Sequence, residues 1–292
     1  MTSILERSEF PDSLVEAVSR NSDRLDDTDF ATGIPSFVRK ADSGVVKIAV
    51  PTLFYLDEAQ LEYFAHDFEV ATSEAAAELR RQYSRFELLQ LLLAHSIGSP
   101  MSIVDVRDGR VVQDIIPKEC KTNVADSSHG STLDFSFHND MSYLDDEQTP
   151  DYFSLGCIRN NEKAITSIAD PFIAMKLLDE DSIAELQKTQ YTFRHVYRRG
   201  REDEAVGKKV SPVITPDGEV RLGVDMESPT LAALDALTRF RGALGSVAVD
   251  CVLSTGDVLV IPNRHFVHGR RAFSMAPDPT QRRWIQRINI AT

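Results

Sequence analysis

The sequence predicts an α+β protein. A helical N-terminal third packs on a β-rich body of double-sheet barrel or jelly-roll type, and the 292 residues form one domain. Three observations point there. Residues 57–98 carry apolar side chains at three- and four-residue spacing, the period of a helix. From residue 101 onward the apolar period becomes two. Those later runs are short and separated by Gly, Asn and Asp turns, with no repeat or linker to divide the chain.

Each element follows from local chemistry. Residues 1–50 are irregular around one short helix, DSLVEAVSRN, with Asp12 in the capping position. GVVKIAVPTL is a strand closed by Pro51. The helices of 57–98 include one opened by Ser73, so that 1–100 is mainly helical and 101–292 is the β core. In MSIVDVRDGRVVQDIIP the Asp108-Gly109 pair predicts a hairpin. PDYFSLGCIRN and KAITSIAD are strands, and DPFIAMKLLDEDSIAELQK is a helical connection. YTFRHVYRRG and VSPVITPDGEVRLGVD are strands around turns. SPTLAALDALTRFRGALGSVA is a capped amphipathic helix, and VDCVLSTGDVLVIPNRHFVHGRRAF and RRWIQRINIAT close the chain as strands.

Composition narrows the function. A net charge of −13 repels polyphosphate and argues against nucleic-acid binding. The longest apolar stretch, FELLQLLLAHSIG, is too short to span a bilayer, and the N-terminus lacks the apolar run of a signal peptide. Cys120, Cys157 and Cys251 form no C-x-x-C pair and are odd in number, which fits thiols buried in a reducing cytoplasm. The expectation is a cytoplasmic protein without membrane contact, of undetermined oligomeric state.

The chemistry centres on DFSFHNDMSYLDDEQTP. His138 and Asp140 stand two apart at a predicted strand end, so both side chains reach one face. Such a pair alone is more often structural than metal-binding, and a third ligand is needed. His268 is the best candidate, where the apolar strand Val258–Ile261 has broken at Pro262-Asn263 and the chain leaves the core. His265 is its competitor. Two histidines and one carboxylate make the facial triad of non-haem Fe(II) oxygenases, although zinc hydrolysis uses similar donors. Arg282, Arg283 and Arg287 lie on the predicted last strand, where one inward guanidinium would clamp a carboxylate.

Together FHND, PDYFSLGCIRN, GDVLVIPNRHFVHGRRAF and RRWIQRI resemble the clavaminate synthase-like branch of the Fe(II)/2-oxoglutarate oxygenases, within the wider taurine dioxygenase group. The likeness is greatest to amino-acid hydroxylases of the arginine and asparagine β-hydroxylase type, and covers residues 100–292. The resemblance implies a double-stranded β-helix (jelly-roll, cupin-like) core with flanking helices. It implies Fe(II) held by His138, Asp140 and His268, with 2-oxoglutarate and O2 as cosubstrates. For the 2-oxoglutarate arginine, spacing from His268 picks Arg282 and adjacency to Trp284 picks Arg283. Arg283 is favoured, because a one-residue insertion in the APDPTQ loop costs little. Thr166 is the implied second anchor. The Asp140 carboxylate implies hydroxylation, since halogenating relatives carry a small residue there. The implied substrate is a small amino acid, lysine or arginine first, for which Asp225, Ser127, Ser128 and Arg159 are candidate contacts and LDDEQTP a candidate lid. Rival readings are the same chemistry on an amino acid tethered to a carrier protein, a metal-dependent hydrolase, and a non-catalytic cupin-like binding protein.

Overall fold

The computed structural model describes residues 2–4, 38–40, 46–55, 85–103, 110–117, 132–193, 209–224, 226–278 and 281–292. Two antiparallel sheets dominate. The larger runs β1 (Thr2–Ile4), β5 (Ser99–Ile103), β16 (Trp284–Ala291), β8 (Tyr152–Arg159), β14 (Asp257–Pro262) and β4 (Thr52–Tyr55), with β6 (Gln113–Ile115) also on β16. The smaller runs β13 (Val249–Val252), β9 (Ile165–Ala169), β15 (Val267–Arg270) and β7 (Phe135–His138). The remaining strands pair as β2 (Val38–Lys40) with β3 (Val46–Ile48), and as β10 (Tyr191–Phe193) between β11 (Lys209–Ser211) and β12 (Met226–Glu227).

Strand alternation decides what faces inward. On β8, Phe153, Leu155 and Cys157 join Leu259 and Ile261 of β14, Ile285 of β16, Ile168 of β9 and Cys251 of β13 in one buried cluster. That cluster draws on both sheets, so the sheets face each other across it. The other face of β8 carries Gly156, packed so closely under α1 (Arg85–Ile97) that an added Cβ would lie 2.0 Å from Gln90 Oε1. Gln90 there donates to Gln286 of β16 at 2.8 Å.

A second cluster covers the outer face of the smaller sheet. It joins Ala169 and Val267 to Ala174 of α2 (Pro171–Met175), Leu186 of α3 (Glu180–Leu186), and Phe240 and Leu244 of α4 (Leu231–Val247). Each helix starts on a polar cap: Asp170 accepts from Phe172 N, Asp179 from Ser182 N and Thr230 from Ala233 N. No helix among the described residues is long and apolar enough to cross a membrane.

Two expectations change. Among the described residues, the runs on either side of Asp108-Gly109 do not pair with each other; 104–109 lie outside the described residues. β5 lies against Asn289–Ala291 and β6 against Ile285–Arg287, end to end along β16, so the long central strand takes both. Within the first hundred residues the described elements are β1–β4, α1 and the start of β5, and β1 and β4 belong to the larger sheet. The helices expected over 57–84 lie outside the described residues.

Candidate metal centre

His138 ends β7, and His268 is its direct partner on β15. Opposite residues of an antiparallel pair project to the same face, so the register alone brings the rings together, centroids 4.2 Å apart. Asp140 follows in the turn, with Met141 at φ 58. The ligand atoms of His138, Asp140 and His268 lie within 4.8 Å of one another, and all three residues are buried. His265, the sequence competitor, is exposed.

Hydrogen bonds set each donor. His138 Nδ1 meets the Ser136 carbonyl at 2.8 Å; a carbonyl only accepts, so Nδ1 donates there and Nε2 is the ring nitrogen turned towards Asp140. Nε2 faces Asp140 Oδ1 at 3.5 Å. The other carboxylate oxygen, Oδ2, accepts from Arg287 at 2.7 Å, and Arg287 also donates to Gln113 of β6 at 2.7 Å. Burial opposes the Asp140 charge. The Arg287 guanidinium outweighs it, aided by both imidazoles, and holds the carboxyl well below the usual carboxylate range. Burial and then the neighbouring His138 ring push His268 down to about 3, so at neutral pH it is a neutral ring. Its Nδ1 is buried without a hydrogen-bond partner. One ionised carboxylate and two imidazoles form a donor set for a divalent cation. Phe135 and Phe153 pack on the rings, with centroids 4.6 Å from His138 and 4.5 Å from His268.

Two asparagines hold the halves of the triad in register. Asn263 accepts from Asp140 N at 2.8 Å and donates to the Asp140 carbonyl at 3.0 Å and the Pro150 carbonyl at 2.9 Å. Asn139 donates to the Asn263 carbonyl at 2.6 Å and accepts from Leu222 N at 2.9 Å. Sequence reasoning quoted both within their motifs and missed this role. The signal available was position: Asn139 stands between His138 and Asp140, and Asn263 at the break after the Val258–Ile261 strand.

The two candidate arginines separate cleanly. Arg282 spends its guanidinium on its own loop, at the carbonyls of Ala276 (3.2 Å) and Pro277 (3.4 Å). Arg283 is 4% exposed and its Nε has no partner. Burial, then the charge of Arg270, lowers its pKa to about 10. A buried guanidinium of this kind fits a carboxylate ligand. Thr166 is buried on β9, opposite Arg270 of β15. Arg159 donates to the Arg282 carbonyl at 2.8 Å and lies 5.9 Å from the Trp284 ring centroid, so it braces the strand end that carries Arg283. Ser127, Ser128 and Asp225 lie outside the described residues.

The segment after the motif, expected as a lid, is held down. Asp146 pairs with Arg221 at 2.7 Å and Lys209 at 3.2 Å, and Arg264 reaches the Asp146 carbonyl at 2.7 Å.

Comparison with known proteins agrees with this geometry. The chain is 28% identical to clavaminate synthase 2 of Streptomyces clavuligerus over 74% of its own length and 67% of that enzyme's. It is 24% identical to L-lysine 3-hydroxylase of Catenulispora acidiphila, over 66% of this chain and 55% of the relative. A crystal structure of asparagine oxygenase with Fe(II), 3-hydroxyasparagine and succinate shares the fold at a TM-score of 0.66 and 20% identity, over 99% of this chain and 92% of that one. The model of the taurine catabolism dioxygenase TauD, TfdA family matches residues 67–289, and the chain belongs to that family.

Proposed function

We propose that this protein is an Fe(II)- and 2-oxoglutarate-dependent dioxygenase that hydroxylates an unactivated C–H bond of a small L-amino acid. The observation that carries the reading is the buried His138–Asp140–His268 cluster, together with the buried Arg283 whose Nε has no partner, in a chain of this dioxygenase family. The two facing sheets are read as the double-stranded β-helix of such enzymes, and residues 1–292 as one oxygenase domain. A cytoplasmic location fits the free, buried Cys157 and Cys251.

His138, Asp140 and His268 would hold the iron on one face, and Arg283 with Thr166 would seat the far carboxylate of 2-oxoglutarate. Iron and 2-oxoglutarate together supply the oxidation, in which O2 gives one oxygen to the substrate and one to succinate, with release of CO2. The chain supplies the rest. The His138 Nδ1 bond to the Ser136 carbonyl fixes the ring, so that Nε2 would be the nitrogen to hold the metal. Arg287 keeps Asp140 ionised, and Phe135 and Phe153 keep the centre dry. Because Asp140 fills the third protein position, the reading is hydroxylation and not halogenation.

A cationic amino acid, lysine or arginine, is the proposed substrate, supported by the relation to the lysine 3-hydroxylase. Asp225 is the proposed partner of its side chain, since a desolvated carboxylate–cation pair discriminates strongly. The test is a screen of the twenty amino acids with Fe(II), 2-oxoglutarate and ascorbate, read by product mass. A gain of one oxygen on a basic amino acid, coupled to succinate, is expected. Gain only on a carrier-bound amino acid would move the substrate to the tethered form, and succinate-independent hydrolysis would overturn the oxygenase reading.

A further inference from the structure

The residue after Asp140 holds an unusual backbone. Outside glycine, positive φ occurs among the described residues only at Met141 (φ 58) and Lys163 (φ 50). Lys163 is exposed, whereas Met141 is only 5% exposed. In that region Cβ crowds the carbonyl oxygen, so a bulky residue keeps the conformation only where its surroundings impose it. Here they do. On one side, Asn263 fixes the Asp140 amide and carbonyl. On the other, Ser142 Oγ donates to the Leu222 carbonyl at 3.1 Å, and the Met141 carbonyl accepts from Leu144 N at 2.9 Å. A Met141 that relaxed to negative φ would pull one of these flanks loose. The side chain is anchored as well: Asn289 Nδ2 donates to Met141 Sδ at 3.6 Å, and Asn289 is fully buried. Asn289 stands two residues after Arg287 on β16, so both point to the same face. β16 therefore grips the turn at two consecutive residues, Arg287 at the Asp140 carboxylate and Asn289 at the Met141 sulfur.

We infer that Met141 is a positioning residue: its anchored side chain holds the left-handed turn that keeps Asp140 Oδ1 towards His138 while Oδ2 meets Arg287. This rests on the metal reading of His138, Asp140 and His268, and not on the choice of substrate. Packing supplies most of the hold, since a thioether is a weak acceptor but a long, adaptable side chain that fills irregular space. The role has a signature that core filling lacks. Alanine at 141 keeps the steric penalty of positive φ and loses the anchor. Glycine also loses the anchor but adopts positive φ freely. Core filling by itself ranks alanine above glycine; a strained turn that aims a ligand ranks glycine above alanine.

The test titrates the full chain with Mn(II), standing in for Fe(II), by calorimetry well below each variant's melting temperature. Loss of global stability then does not enter the binding constant. Met141→Leu, which conserves volume, is expected to bind Mn(II) within about threefold of wild type. Met141→Ala should weaken binding on the order of tenfold, and Met141→Gly should fall between the two. The Mn(II) electron paramagnetic resonance spectrum should change most in Met141→Ala, because it reports ligand geometry and not fold stability. Equal affinities across the three variants, or glycine weaker than alanine, would overturn the proposal. If Met141→Ala does not fold, Asn289→Ala decides: a loss of roughly threefold or more is expected from removing the anchor, and unchanged affinity overturns the proposal. Wild-type protein that binds no Mn(II) would instead sink the metal reading, and this role with it.

Discussion

Asp140 has two duties that single substitutions can separate. Oδ1 faces His138 and the metal position, while Oδ2 neutralises Arg287, whose side chain is only 11% exposed. His138→Ala and Asp140→Ala should both abolish Mn(II) binding. In metal-free protein they should differ. Asp140→Ala strands a buried cation and should cost about 3 kcal/mol, the range for breaking one side of a buried pair. His138→Ala strands no buried guanidinium and should cost less. Urea melts of the two apo variants, beside Mn(II) titrations, check this; equal stabilities would mean that Arg287 finds other compensation. The three clustered residues were legible because His-x-Asp is a local pattern and His268 sits in a recognisable strand exit. The Arg287–Asp140 pair was not, because it joins residues 147 positions apart and no local signal announces a partner.

Among elements, the close approach of β7 and β15 carries the site. An added Cβ at Gly269 would sit 2.7 Å from the Phe135 carbonyl, which is rigid backbone. Gly269→Ala should therefore prise the His268 strand from the His138 strand, with a cost of about 1–3 kcal/mol and weaker metal binding. Asn263→Ala acts on the same register from the other end. It leaves the Asp140 amide and carbonyl unsatisfied in the interior, at about 1–3 kcal/mol, and should weaken Mn(II) although it removes no ligand. Melting and Mn(II) titration read both; an Asn263→Ala protein with wild-type metal affinity would show that the brace is dispensable. The 140–150 segment shows the limit of local reading. LDDEQTP looks like a mobile acidic loop by composition, yet its Asp146 is clamped by Arg221 and Lys209. Slight burial is outweighed by these cations, so the Asp146 pKa is lowered from 3.8. A lowered folded pKa gives stability that is complete above the ordinary value and lost as pH falls through the folded one. Asp146→Asn should thus be less stable than wild type at neutral pH, and the difference should vanish by about pH 2. The described parts of the two runs around Asp108-Gly109 pair with β16 for a related reason: turn chemistry is local, but that partner comes from the far end of the chain.

On the scale of the molecule, the two sheets contribute different parts of one site. His138 and His268 come from the smaller sheet, whereas Arg287 lies on β16 of the larger one and Arg283 immediately precedes that strand. Alternation of apolar residues made the sheets legible, but not which face of each would meet the other, because that depends on pairings between distant strands. The division of labour makes a thermodynamic prediction. A ligand that binds only the folded arrangement stabilises it by RT ln(1 + [L]/Kd), about 2.7 kcal/mol at a hundredfold excess over Kd. Mn(II) should raise the melting temperature of the wild-type chain, and a chelator should reverse the rise. 2-Oxoglutarate should add a further increment only with Mn(II) present, because its chelating end needs the metal while its far carboxylate crosses to Arg283. Arg283→Gln should keep the metal increment and lose the second. His138→Ala should lose both. A 2-oxoglutarate shift that survives in His138→Ala without metal would place its binding elsewhere in the molecule. A metal shift that disappears in Arg283→Gln would mean that the arginine supports the triad itself and does not seat the cosubstrate.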